Sequence, residues 1–432
     1  MSVPSTPVVR ARFRNGLEVR LKEIHTAPLI SFWVWYRVGA RSERPGITGI
    51  SHWVEHMLFK GTPKFPAGVL DRAISRDGGL WNAFTWYDWT AYFETMPADR
   101  IDLSLRLEAD RMVHSLFEAD EVASERTVII SEREGHENEP TFRLGEEIQA
   151  AAFRVHSYHH QVVGDRADLE TMRREDLVRH YRTNYVPANA LIAVAGDFRT
   201  RPMLNRLRQL FGPLPKKPRP ATAVRSEPEQ AGERRVTVEG PGNTTYVEVA
   251  YRAPTATSPD FFPMAVLDSI LSGASSLNLF GGGLSNKTSR LYRALVVGDL
   301  AAAVDGDLAA TIDPYLYGVR ATVRPGVKAE DVLQTIDEEV RRLQDESIAA
   351  EELVKAVKQA RALFAYGSES ITNQAFWLGY SEMFADYSWF EGYLDGLGAV
   401  TADDIQRVAR TYLRPSQRVV GMYLPTGDSA GA

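Results

Sequence analysis

Apolar residues along this chain recur with two periods, and the switches between them predict its elements. Residues 8–13 and 17–24 read as strands joined through Asn15-Gly16, a pair that readily takes the left-handed backbone of a tight hairpin turn. Ile30-Ser31-Phe32-Trp33-Val34-Trp35-Tyr36 is rich in β-formers and predicts a third strand. Residues 46–60 change to the helical period. Residues 78–94 return to strands as an aromatic-rich hairpin, and residues 101–117 and 120–135 are helical again. A polar helix at 174–185 leads to the apolar strand Ala190-Leu191-Ile192-Ala193-Val194-Ala195, which ends at Gly196-Asp197, and a further helix reaches Leu210.

The pattern then stops and restarts. Pro213-Leu214-Pro215-Lys216-Lys217-Pro218-Arg219-Pro220 opens a proline-rich, charged stretch without apolar periodicity, so residues 215–233 read as a linker. Beyond it lies an internal repeat at an offset of 228 residues. Asp176/Asp404, Arg179/Arg407, Arg182/Arg410, Thr183/Thr411 and Pro187/Pro415 are identical, and both copies run into an apolar strand. The expected architecture is α+β: a first half over 1–214 and a related second half over 234–432.

Composition changes this picture little. A chain of 432 residues exceeds a single core, in keeping with two halves. No run approaches the roughly 18 consecutive apolar residues of a membrane span, and the first seven residues show no secretory pattern. Zero cysteines exclude disulfides and thiolate ligands and point to the cytoplasm. A net charge of −6 argues against a nucleic-acid partner.

The helical stretch 46–60 carries the candidate chemistry. Ile47, Ile50, Val54, Met57 and Leu58 form an apolar stripe, while His52, Glu55, His56 and Phe59 centre roughly 160° away. Imidazoles at i and i+4 lie one above the other and can share one ion, with Glu55 placed over it. His and Glu are ordinary on solvated helix faces. With 9 His and 56 acidic residues, however, the pattern His-x-x-acid-His is expected by chance only about 0.02 times. In the helix over 120–135, Val122, Val128 and Ile129 define the apolar stripe; Glu125 and Glu132 fall inside it, and Arg126, Arg133 and Glu134 outside. An inward carboxylate needs a partner or a metal. Either glutamate suits a third metal ligand, with the other supporting it; spacing does not choose. The helix expected to match the metal helix in the second half, residues 262–271, holds no His, so only the first half can bind the ion.

With these residues in place, the chain resembles the M16 (pitrilysin-type) zinc metallopeptidases, inverzincins with His-x-x-Glu-His, and most of all the shorter processing-peptidase-like and bacterial members. The resemblance extends through Met57-Leu58-Phe59-Lys60-Gly61-Thr62, Asn82-Ala83, Thr85, the Glu125/Glu132 pair and Tyr185-x-Pro187-x-Asn189. It implies two homologous halves, each a mostly antiparallel sheet with helices (the LuxS/MPP-like metallohydrolase fold), closing as a clamshell.

The resemblance also implies one zinc per chain on His52, His56 and Glu132, with Glu55 as general base and Glu125 as the accompanying glutamate. A peptide substrate would add as a strand along residues 80–84, with Asn82, Ala83, Phe84 and Phe59 contacting it. Family members complete the site with an Arg and a Tyr from the second half; here Val296 and Ala302 take those places, with one residue fewer between them. Arg290, Tyr292 and Arg293 are close in sequence but a helix turn from the expected face. The expectation is therefore a homo- or heterodimer whose M16-like partner carries the Arg/Tyr pair, acting on peptides without nucleic acid or membrane. The stretch 271–285, rich in glycine, lacks the Gly-Lys-Ser/Thr of a phosphate loop and reads as a flexible or substrate-sensing loop. A non-catalytic scaffold of the same fold is the competing reading.

Overall fold

The computed structural model describes residues 7–222, 224–278 and 286–427. Residues 279–285 of the expected sensing loop (271–285) lie outside the described residues. Along the first half come β1 (Val9–Arg12), β2 (Glu18–Glu23), β3 (Leu29–Tyr36), α1 (Ile50–Met57), α2 (Val69–Arg76), β4 (Leu80–Thr85), β5 (Thr90–Pro97), α3 (Asp102–His114), α4 (Ala119–Glu137), α5 (Pro140–Ala152), α6 (Arg166–Thr171), α7 (Arg174–Asn184), β6 (Ala190–Gly196) and α8 (Thr200–Phe211). The second half runs through β7 (Arg234–Gly240), β8 (Tyr246–Arg252), α9 (Phe261–Leu271), β9 (Ala301–Leu308), β10 (Leu316–Val323), α10 (Ala329–Asp345), α11 (Ala350–Tyr366), α12 (Ile371–Phe384), α13 (Tyr387–Glu391), α14 (Tyr393–Gly398), α15 (Ala402–Tyr412) and β11 (Arg418–Pro425).

The strands form two sheets that share one topology apart from β1, which has no counterpart among the described strands of the second. The first is ordered β1-β2-β6-β3-β5-β4 and the second β7-β11-β8-β10-β9. In each, one pair is parallel, β2 with β6 and β7 with β11, and the other pairs are antiparallel. Register repeats too: Ala190 of β6 faces Tyr36 of β3, and Arg418 of β11 faces Tyr251 of β8, positions 228 residues apart in the repeated strands. The sequence repeat therefore marks a duplicated α+β fold with mixed sheets. β6 is buried at all seven positions, whereas β10, also interior to its sheet, alternates buried and half-buried residues, as a strand covered on one face does.

The two units do not follow the chain linearly. One comprises residues 1–133, 160–225 and 369–387; the other comprises 134–159, 226–368 and 388–432. Sequence reasoning divides the chain at 214 and 234, but the halves exchange a helix. α12, from the second half, packs on β3 and β6, placing Phe376 edge-on to Trp33 at 5.7 Å. α5, from the first half, packs on β11, β7 and β8, with Leu144 and Ile148 buried. Glycine permits each close approach: a Cβ on Gly379 of α12 would overlap the Trp35 indole nitrogen, and one on Gly421 of β11 would overlap Ile148. Helical periodicity reveals a buried face but not which sheet covers it.

Candidate metal centre and catalytic residues

α1 is shorter than the helix expected over 46–60, because its start is held by side chains rather than by helical bonds. Gly49, at φ +83°, precedes the first turn, and Glu43 accepts from the backbone nitrogens of Gly49 (2.7 Å) and Ser51 (2.8 Å). A carboxylate at a helix N-terminus also meets the positive end of the helix dipole. Asp168 accepts from Gly46 and Thr48 nitrogens, each at 2.9 Å, and from the Thr48 hydroxyl at 2.7 Å. Gly164 crosses this start so closely that a Cβ on either Gly49 or Gly164 would strike the other segment.

That crossing also positions the second helix of the site. Arg133 of α4 donates to the Gly164 carbonyl at 2.7 Å and is buried, although its position on the helical wheel lies outside the apolar stripe. Val128, assigned to the stripe, is 46% exposed. The inward face of α4 is thus set by Val122, Glu125, Ile129 and Arg133. An anchoring arginine replaces an apolar residue there because a backbone carbonyl awaits it.

His52, His56 and Glu132 come together. Their candidate ligand atoms all lie within 4.8 Å of one another, the only such group of three among the described residues. His52 Nε2 is 3.6 Å from Glu132 Oε1, and His56 Nε2 is 3.6 Å from Glu132 Oε2. Ligand atoms of a tetrahedral zinc site stand roughly 3.3 Å apart, so two imidazoles and a carboxylate at this spacing fit such an ion. Glu125 stands behind them: His56 Nδ1 donates to Glu125 Oε2 at 2.9 Å, and Lys60 pairs with the other oxygen. Burial opposes charge on Glu125, but Lys60 and His56 outweigh it and hold the carboxyl below its ordinary range. With Nδ1 so engaged, His56 presents Nε2 to the donor cluster.

Glu55 is buried beside this cluster. Burial pushes its carboxyl up to about 7, with the Glu132 charge adding to the rise and the Thr85 hydrogen bond and His56 opposing it. A cation among the three donors would favour its charged form. Phe59 follows α1 and packs on Trp81 at 4.7 Å between centroids. Both line a shallow cleft that opens to solvent, together with Leu58, Phe65, Leu107 and Arg111. Arg111 lies over Tyr92 at 4.2 Å and Phe59 at 5.5 Å, paired with the buried Glu108 and Glu94. Burial and the Glu108 charge raise the Glu94 carboxyl well above its ordinary range.

β4 is one of the two edge strands of its sheet, so among the described residues one row of its backbone groups has no strand partner. On it Asn82 is exposed, Ala83 buried, and Phe84 half-buried and stacked on Phe93. In the other unit, Val296 lies half-buried in a π-helical turn over Tyr292–Val297, and Ala302 is exposed on β9. Arg290 is engaged by Glu352 through two bonds of 2.9 and 2.7 Å. The roles of Glu43, Arg111 and Arg133 escape sequence reasoning, and Thr85 and Lys60 enter it only as parts of a motif. The legible signal was Glu55 itself, since a buried carboxylate requires a donor.

The family model described as "Insulinase (Peptidase family M16)" matches residues 18–166, and "Peptidase M16 inactive domain" matches residues 171–360. The chain belongs to peptidase family M16. The inactive-domain match begins at the end of α6 and takes in α9, the corresponding helix of the second half, which has no histidine. Among M16 relatives, a zinc protease of Helicobacter pylori, PqqE, is 28% identical over 94% of this chain and 90% of its own length. An uncharacterized zinc protease of Streptomyces coelicolor is 27% identical over 96% and 89%. A probable mitochondrial-processing peptidase subunit beta of Arabidopsis thaliana is 26% identical over 79% of this chain and 64% of its own. A solved protease structure from Helicobacter pylori superposes with a TM-score of 0.90 at 27% identity, covering 98% of this chain and all of that one.

Proposed function

We propose that this M16 chain is a zinc-dependent endopeptidase of the inverzincin type, acting on peptides or unfolded segments. The observation that carries this reading is the gathering of His52, His56 and Glu132 within 4.8 Å, with the buried Glu55 on the same helix as the two histidines. Zinc on those three residues would act as a Lewis acid toward the peptide carbonyl and acidify a water. Glu55 takes the proton of the attacking water as the C–O bond forms and then returns it to the amide nitrogen, so that the C–N bond breaks and the amine leaves. Glu125 and Lys60 keep His56 in the tautomer that offers Nε2. The free edge of β4 binds the substrate backbone, with Asn82, Ala83 and Phe84 along it, while Phe59 and Trp81 offer an apolar cleft to a side chain.

The absence of an arginine and a tyrosine at Val296 and Ala302 supports a dimer in which a homologous M16-like subunit supplies them. The test is zinc content, measured by elemental analysis, together with hydrolysis of a quenched peptide. The parent chain should carry one zinc, and adding the Arg/Tyr-bearing homologue should raise turnover. Glu55→Gln should keep the metal and lose turnover by at least about a thousandfold. Zinc without hydrolysis in any subunit combination would establish the scaffold reading instead.

A further inference from the structure

Glu55 makes one side-chain hydrogen bond among the described residues: Thr85 Oγ1 donates to its Oε2 at 2.6 Å. Thr85 closes β4 and faces Thr90 across the hairpin. Thr90 donates its own proton to the Val38 carbonyl at 2.9 Å, so it meets Thr85 with lone pairs only, at 3.5 Å. Thr90 is thus a second acceptor, but the 2.6 Å contact against 3.5 Å assigns the Thr85 proton to Glu55, and β-branching stiffens the rotamer that delivers it.

We propose that Thr85 is a positioning residue for the general base, fixing Oε2 of Glu55 so that Oε1 is left to take up the proton. This rests on the endopeptidase reading and extends it. The hydroxyl comes from the strand whose free edge is assigned to the substrate, so one strand sets both the register of the bound peptide and the direction of the base. A valine at 85 keeps shape and β-propensity but removes the donor, leaving a buried carboxylate oxygen unbonded. A purely structural role would lower stability and leave turnover alone.

Thr85→Val and Thr85→Ser in the full chain, assayed with the partner subunit if turnover requires it, test this. For Thr85→Val, kcat should fall about 30-fold, with KM and zinc content unchanged. Thr85→Ser, which restores the donor, should stay within about threefold of the parent. Crystal structures of the two variants need no turnover: Glu55 should swing from its place in the first and keep it in the second. Parent-like kcat in Thr85→Val, or an unmoved Glu55 carboxylate, overturns the proposal. A parent chain that cleaves no peptide in any combination refutes the endopeptidase reading, while the two structures still decide how Glu55 is held.

Discussion

Replacing Glu125 by alanine removes the acceptor of His56 Nδ1 without touching any of the three proposed zinc ligands. The bond from His56 Nδ1 is 2.9 Å long, and Lys60 secures the far oxygen of the same carboxylate. A hydrogen bond to a charged group contributes about 1.5–3 kcal/mol, which corresponds to roughly a 10- to 150-fold change in an equilibrium constant. Supporting carboxylates behind metal-binding histidines typically account for about 10- to 100-fold in affinity. The two estimates agree, so zinc should bind Glu125→Ala about 30-fold more weakly. Glu125→Gln keeps an acceptor for His56 and should lose less. Competition against a chromophoric chelator, at constant pH and ionic strength, measures both constants. Lys60→Ala sits one step further back and should weaken zinc by less than Glu125→Ala does. Equal zinc affinity in parent and Glu125→Ala would refute the orienting role, whatever the variant's stability.

Two further outcomes concern the fold. Gly379→Ala would ordinarily stabilise a helix by up to about 1 kcal/mol, yet here the new Cβ meets the fully buried Trp35 indole. Overpacking at that contact should win, lowering the chemical-denaturation stability by about 2 kcal/mol; a gain would refute the packing argument. His180, buried in α7 with Nε2 3.4 Å from Ser51 Oγ, has its pKa pushed down to about 4 by burial, with the Glu43 charge opposing. The unfolded chain takes up this proton near pH 6.5, before the folded chain can, so the contribution is complete above 6.5 and lost as pH falls toward 4. It amounts to at most about 3 kcal/mol. Urea midpoints across that window should fall more steeply for the parent than for His180→Asn; parallel slopes would show that His180 does not titrate differently on unfolding.

The sequence exposes what depends on spacing within one element. His52 and His56 share a helix face whatever surrounds them, and the 228-residue repeat maps directly onto paired strands in identical register. It is mute where a side chain answers a distant segment. Arg133 looks solvent-facing on a wheel until the Gly164 carbonyl supplies its partner, and Val128 looks buried although it is 46% exposed. Glu43 has no local pattern, since its partners are backbone nitrogens at the head of α1. The exchange of α5 and α12 is invisible for a related reason: each helix carries an apolar face that would suit either sheet.

That exchange bears on how the molecule comes into being. By the time synthesis has passed residue 225, all six strands of the first sheet have been delivered, but the helix that seals Trp33 and Trp35 is encoded only at Ile371–Phe384. A nascent chain must therefore carry an uncapped tryptophan surface through most of translation, the kind of exposed apolar patch that attracts chaperones and promotes misassembly. Severing the chain at the linker would not liberate two self-sufficient modules, because each fragment would leave with its neighbour's lid.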